Sequence, residues 1–232
     1  MHRKLRRRRQ CLLTVTPALF VLATSWSARA TDLTVRVTTA DHAPLAGAVL
    51  ALYPSAQIPP PAAREWIMDQ VDKRFVPTLL AIHRGDTVSF PNSDDIRHHV
   101  YSFSPAHTFE LPLYHGIPAD PVRFEQAGKV VLGCNIHDRM AAHIYVLDTP
   151  LFAIAAEGEH AFVGLPPGNY ELALFHPELP AAEDGRRSNV TVQASGAQRV
   201  TLVAAPAEPP AAVAGELSPL ERKFRELRRA PR

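Results

Sequence analysis

The stretch GCNIHDRMAAHIYV, residues 133–146, decides the reading of this chain. It begins on the glycine that ends a strand-like run, KVVLG (129–133), and it contains most of a second, HIYVL (143–147). Between those runs Cys134, His137 and Met140 stand at C-x2-H-x2-M spacing. His supplies 11 and Met 3 of the 232 residues. Both offsets from a given cysteine are therefore met by chance with a probability of only about 0.0006.

Outward from this loop the chain reads as all-β. Short alternating or apolar runs recur between Gly, Pro, Asn and Asp: LTVRV (33–37), AVLALY (48–53), TVSF (87–90), HVYSF (99–103), YELALF (170–175) and RVTLV (199–203). That spacing of turn signals predicts β-sandwich architecture. Residues 62–75 are ambiguous, since Ile67 and Val71 fit a helical stripe while Trp66 and Met68 alternate. The segment is expected to form an irregular strand. Residues 204–217 are Ala- and Pro-rich and cannot supply a core, which predicts a linker. Beyond it, Leu220, Phe224 and Leu227 fit a short amphipathic helix, with a solvated, basic, disordered tail as the expected state.

Residues 1–30 read as an export signal, with a basic head through Arg9, an apolar stretch over 11–23 and a small-x-small site at Ala28-Arg29-Ala30. The alternative is a membrane anchor. Thr14, Thr16 and Pro17 interrupt the apolar run, which is shorter than the roughly 20 residues a span requires. A Sec-type signal, a periplasmic location and no stable span after cleavage are expected; the pair Arg8-Arg9 is a poor twin-arginine match. Cys11 would leave with the signal and Cys134 would remain alone. It would then be buried and inert, paired with another chain, or bound to metal.

The charge balance depends on the same cleavage. The full chain carries 25 Lys+Arg against 23 Asp+Glu, but residues 1–30 hold seven basic and no acidic residues. Residues 31–203 carry 12 basic against 19 acidic. A phosphate backbone would be repelled on average, so nucleic acid is not an expected partner.

Thiolate, imidazole and thioether are the soft and borderline donors that copper prefers. A site that serves both copper oxidation states needs a thiolate, two imidazoles and a weak axial donor. The loop offers three of the four. The fourth should be a distant His, with His83, His98, His99, His107, His115 and His143 as candidates. The plain alternatives are a buried apolar thiol for Cys134, core filler for Met140, and surface or structural duty for most histidines, including His42, His160 and His176.

At this point the sequence resembles the cupredoxin family, the type 1 blue copper proteins. Its amicyanin-like and plastocyanin-like branch, and methylamine-utilisation cupredoxin-like proteins, are the nearest in pattern. The resemblance runs from about Phe75 to Leu147. Phe75-Val76-Pro77 with Gly85-Asp86-Thr87-Val88-Ser89-Phe90-Pro91-Asn92 is similar to the family's opening strands, and Phe124-Glu125-Gln126-Ala127-Gly128 to its approach to the thiolate. The resemblance implies a Greek-key β-sandwich and one copper ion. It implies His98, six residues after Asn92, as the first imidazole, completed by Cys134, His137 and Met140. Two positions depart from the pattern: His99 stands where the family has a bracing Asn, and Arg97 where it has Pro. A one-residue slip would substitute His99 for His98. The resemblance also places TFELPLY (108–114), with His107 and His115 at its ends, near the copper end, which makes both suspects for docking or a second metal.

A second resemblance brackets the first. Residues 33–54, and the segment around Leu165-Pro166-Pro167-Gly168-Asn169-Tyr170, are similar to a carboxypeptidase-regulatory-like β-sandwich. The expected division is a signal at 1–30, first sandwich strands at 31–54, a cupredoxin domain at 55–148, the remaining sandwich at 149–203, and linker and tail at 204–232. In the alternative arrangement the first strands join the copper sheet. No Ser/His/Asp set or paired acid motif occurs, so no enzymatic activity is expected. The expected function is an exported single-electron carrier between unidentified redox partners. The alternative is a non-redox copper-handling or structural protein of the cell envelope.

Overall fold

A computed structural model describes residues 30–117, 120–194 and 196–205. The expected export signal apart from Ala30, and the expected linker and tail beyond Ala205, lie outside the described residues.

The chain first forms β1 (Thr31–Thr38) and β2 (Ala48–Pro54). The short strands β3 (Glu65–Ile67), β4 (Asp69–Val71), β5 (Arg74–Val76), β6 (Leu79–His83) and β7 (Thr87–Ser89) follow. Next come β8 (His98–Ser104), β9 (His107–Tyr114), β10 (Val122–Arg123), β11 (Gly128–Gly133) and β12 (Ala141–Leu147). The last five are β13 (Leu151–Ala155), β14 (Glu159–Leu165), β15 (Gly168–Phe175), β16 (Arg186–Val192) and β17 (Gln198–Val203). No helix forms among the described residues. The protein is all-β.

The strands make four main sheets, ordered β14-β1-β17, β13-β2-β15-β16, β6-β12-β11-β8-β9 and β10-β7-β3, with β4 and β5 as a separate hairpin. β1 and β2 pair with strands that follow residue 150, whereas β3 to β12 pair only among themselves. Three apolar cores separate the layers. Leu33, Val35 and Val37 of β1 pack against Leu50, Leu52, Leu172 and Leu174 of the second sheet. Val49, Ala51 and Ala173 on that sheet's other face meet Ala81, Tyr145 and Leu147 of the third. Leu80, Ile82, Ile144, Val146, Val130 and Leu132 close the third core with Phe75, Val88, Phe90 and Phe124.

This stacking explains the strand patterns. A strand covered on both faces has no solvent side and reads as a continuous apolar run. All of Ala48 to Leu52 in β2 is buried, with successive side chains entering different cores. β1 has one covered face and alternates, with Asp32 and Arg36 exposed between buried neighbours.

Residues 62–75 form three short strands rather than one. Met68 and Gln70 are wholly buried while Ile67 is 62% exposed, so alternation governs the segment and the helical stripe does not. It breaks at Asp72 and Lys73, whose φ values of 51° and 58° make the two-residue left-handed turn of a tight hairpin.

Candidate metal centre

Cys134 follows the last residue of β11, and His98 is the first of β8. These strands are hydrogen-bonded neighbours, with Gly133 opposite Tyr101, so the sheet itself brings the two donors to one end. His98 Nδ1 lies 3.9 Å from Cys134 Sγ. His137 Nδ1 lies 3.7 Å from the same sulfur. The ligand atoms of the three residues all fall within 4.8 Å of one another. The two imidazole rings are 4.9 Å apart at 57°.

The loop is folded by its own backbone. The His137 amide donates to Cys134 O at 3.4 Å, the Met140 amide to His137 O at 2.9 Å, and the Cys134 amide to Met140 O at 3.2 Å. These bonds turn the chain back within six residues. Met140 is thereby carried into the apolar core that holds Cys134, 2% exposed against 5% for the cysteine. His98 is fully buried and His137 half-buried, so the latter is the ligand nearest solvent.

The pairing of β8 with β9 shifts register between His98 and Val100. Such an irregularity re-aims side chains, and here consecutive histidines are both buried with different partners. His98 turns to Cys134, with its far nitrogen Nε2 at 2.6 Å from Asp94 Oδ2. His99 Nε2 meets Glu110 Oε1 at 2.8 Å, and its Nδ1 is buried without a partner. The structure thus brings His98 to the sulfur and directs His99 to β9.

Asn92 braces the stretch that leads to His98. Its side-chain amide donates to Ile96 O and Tyr114 O, each at 2.9 Å, and its Oδ1 accepts from the Asp94 amide at 3.1 Å. Burial, which alone would raise the Asp94 pKa, is outweighed by hydrogen bonds from the Lys73 amide and the His98 ring, and the carboxyl is held below its usual range. Burial pushes the Tyr114 phenol up to about 12 despite a hydrogen bond from Gln70. Asp94 escaped the sequence reading: nothing but its position four residues before a histidine marks it.

The expectation that His107 and His115 both lie near the copper end is corrected for His107. β9 runs antiparallel to β8, with Tyr114 opposite His98 and His107 opposite Ser104. At about 3.3 Å per residue, the six steps separate His107 from the site by about 20 Å. It packs instead against Phe109 and Phe124, at ring distances of 5.2 and 5.0 Å. His115 is exposed and lies between Tyr114 and Gly116, the latter bridged to Asn92. Among the described residues, the His98, Cys134 and His137 group is the one set of three such donors close enough to share an ion. His83 and His143 lie on β6 and β12, outside that group.

The donors fit copper in kind: one soft sulfur with two imidazoles whose Nδ1 atoms face it, and a thioether buried at the base of the same loop. No family model matches the chain, and no curated protein matches it. Among solved structures, the chain is similar to a reduced amicyanin mutant, at 20% identity over 41% of this chain and 98% of that one, with a TM-score of 0.33. It is similar to a purple cupredoxin from Nitrosopumilus maritimus, at 20% identity over 36% and 98%, with a TM-score of 0.31. A pseudoazurin from Sinorhizobium meliltoi is similar at 20% identity over 38% and 76%, with a TM-score of 0.30. What the site can do is decided by its donors.

Proposed function

We propose that the chain is an exported type 1 copper protein that carries single electrons between redox partners. One observation carries the reading: two imidazole nitrogens lie 3.7 and 3.9 Å from one buried cysteine sulfur, with Met140 buried in the same core. His98, Cys134 and His137 would hold the ion, with Met140 as the weak axial donor. When bound, copper supplies a one-electron couple. The residues themselves supply rigidity. His98 is fixed at the start of β8, Cys134 directly after the end of β11, and the loop between Cys134 and Met140 is closed by backbone hydrogen bonds. Small movement between oxidation states keeps electron exchange fast. Burial of Cys134 and His98 excludes water from the sulfur, and half-buried His137 is the edge offered to a partner.

In the same reading, residues 55–148 form the copper module, set into a sandwich made from 31–54 and 149–203, and the protein works in the periplasm as a carrier rather than an enzyme. No helix among the described residues is long and apolar enough to cross a membrane. The test is the visible spectrum and voltammetry of the mature chain loaded with Cu(II). An intense thiolate charge-transfer band, lost in Cys134→Ala, and a reversible one-electron wave are expected. Colourless, redox-silent binding would overturn the carrier role and favour copper handling.

A further inference from the structure

We propose that Asp94 is a positioning residue for His98, and that the turn between β4 and β5 is the cradle that holds Asp94 in place. The proposal rests on the copper reading above and names what tunes that site.

One carboxylate faces three nitrogens from two directions. Asp94 Oδ1 accepts the Asp72 amide at 2.6 Å, and Oδ2 accepts the Lys73 amide at 2.9 Å. Both turn residues have left-handed φ, 51° and 58°, which points successive amides into one concavity, a ready anion nest. From the other side the His98 ring nitrogen Nε2 lies 2.6 Å from Oδ2. The side chains are 12% exposed for Asp94 and 0% for His98, so water does not compete for this contact at the histidine.

The consequence follows from imidazole chemistry. An ionised carboxylate can only accept, so Asp94 favours a proton on Nε2, and the neutral tautomer that meets this leaves the lone pair on Nδ1, the nitrogen that faces Cys134. A carboxylate partner also makes the imidazole a stronger donor, which favours the more highly charged ion. Asp94 therefore selects the tautomer and lowers the reduction potential of the site. If the carboxylate only pinned the hairpin to the loop, it would affect stability and leave the copper couple alone.

The experiment uses the mature chain with and without copper. In the metal-free wild type, 15N spectra of labelled histidine should show His98 as the Nε2–H tautomer, and in Asp94→Asn a mixture. With copper, Asp94→Asn should bind Cu(II) about 10- to 100-fold more weakly, with Cu(I) affinity changed less. Each tenfold of that difference raises the one-electron potential by about 59 mV. A metal-free wild type with His98 as the Nδ1–H tautomer would overturn the proposal, and this holds even if Asp94→Asn does not fold. So would a folded Asp94→Asn with unchanged potential and Cu(II) affinity. A wild type that gives no thiolate band refutes the copper carrier instead, while the metal-free tautomer still decides the role of Asp94.

Discussion

A methyl group on Gly133 would stand 2.7 Å from Cζ and 2.8 Å from the hydroxyl of Tyr101, whose ring lies across the backbone just before Cys134. This glycine has to be small because of its cross-strand partner. Gly133→Ala should cost about 1–3 kcal/mol, measured by chemical denaturation, and should cost less when Tyr101→Ala has already removed the ring. A neutral Gly133→Ala would mean that the Tyr101 ring moves aside freely. The same scale shows what a sequence discloses about a site. Cys134, His137 and Met140 were legible because one loop holds them at fixed spacing. The separation of His98 from His99 was not, because it depends on a register shift that belongs to the β8–β9 pairing. Asp94 was invisible for a related reason, since its role comes from a turn some twenty residues upstream, at Asp72 and Lys73.

At the scale of elements, β9 shows how strand direction corrects a reading by proximity in sequence. His107 and His115 lie close along the chain, but an extended strand separates them, and it is the Tyr114 end of β9, next to His115, that stands opposite His98. His107 instead sits among aromatic rings, and burial holds its pKa below the ordinary value of 6.5. Burial likewise lowers His143 on β12. For each, the unfolded chain binds a proton before the folded one does as pH falls. Stability is therefore fully present above 6.5 and declines below it, down to the folded value. Denaturation midpoints should be lower at about pH 5 than at about pH 8. His107→Phe, which keeps a ring against Phe109 and Phe124, should flatten that dependence; an unaltered slope would show that His107 does not contribute to it. The continuous apolar runs of β2 and β12 had a meaning that patterning alone leaves open. They resemble any buried strand until the stacking shows two cores meeting them, one on each face.

For the whole molecule, the decisive feature is the middle core, where Ala51, Ala81 and Ala173 let two sheets approach closely and Tyr145 and Leu147 fill the remainder. Asp184 ties the same junction by accepting from Lys129 Nζ at 3.0 Å, Tyr145 OH at 3.2 Å and the His176 amide at 3.0 Å. Lys129 lies on β11, the strand that ends next to Cys134. The layers should therefore unfold together. Of two tryptophans, Trp26 falls in the expected signal, so Trp66, which packs against the third core, is the one left to report on that core in the mature chain. Its fluorescence and the far-ultraviolet circular dichroism should change in one transition, and Asp184→Ala should lower both by about 2–3 kcal/mol. Separate transitions, with only one of them moved, would show independent units. The central claim is that one sulfur and two imidazoles converge on a single copper ion. Copper-edge X-ray absorption of the loaded mature chain tests it most directly. One short copper–sulfur and two copper–nitrogen distances, nearly the same in both oxidation states, are expected. A shell of only oxygen and nitrogen donors, or one that rearranges on reduction, would contradict it.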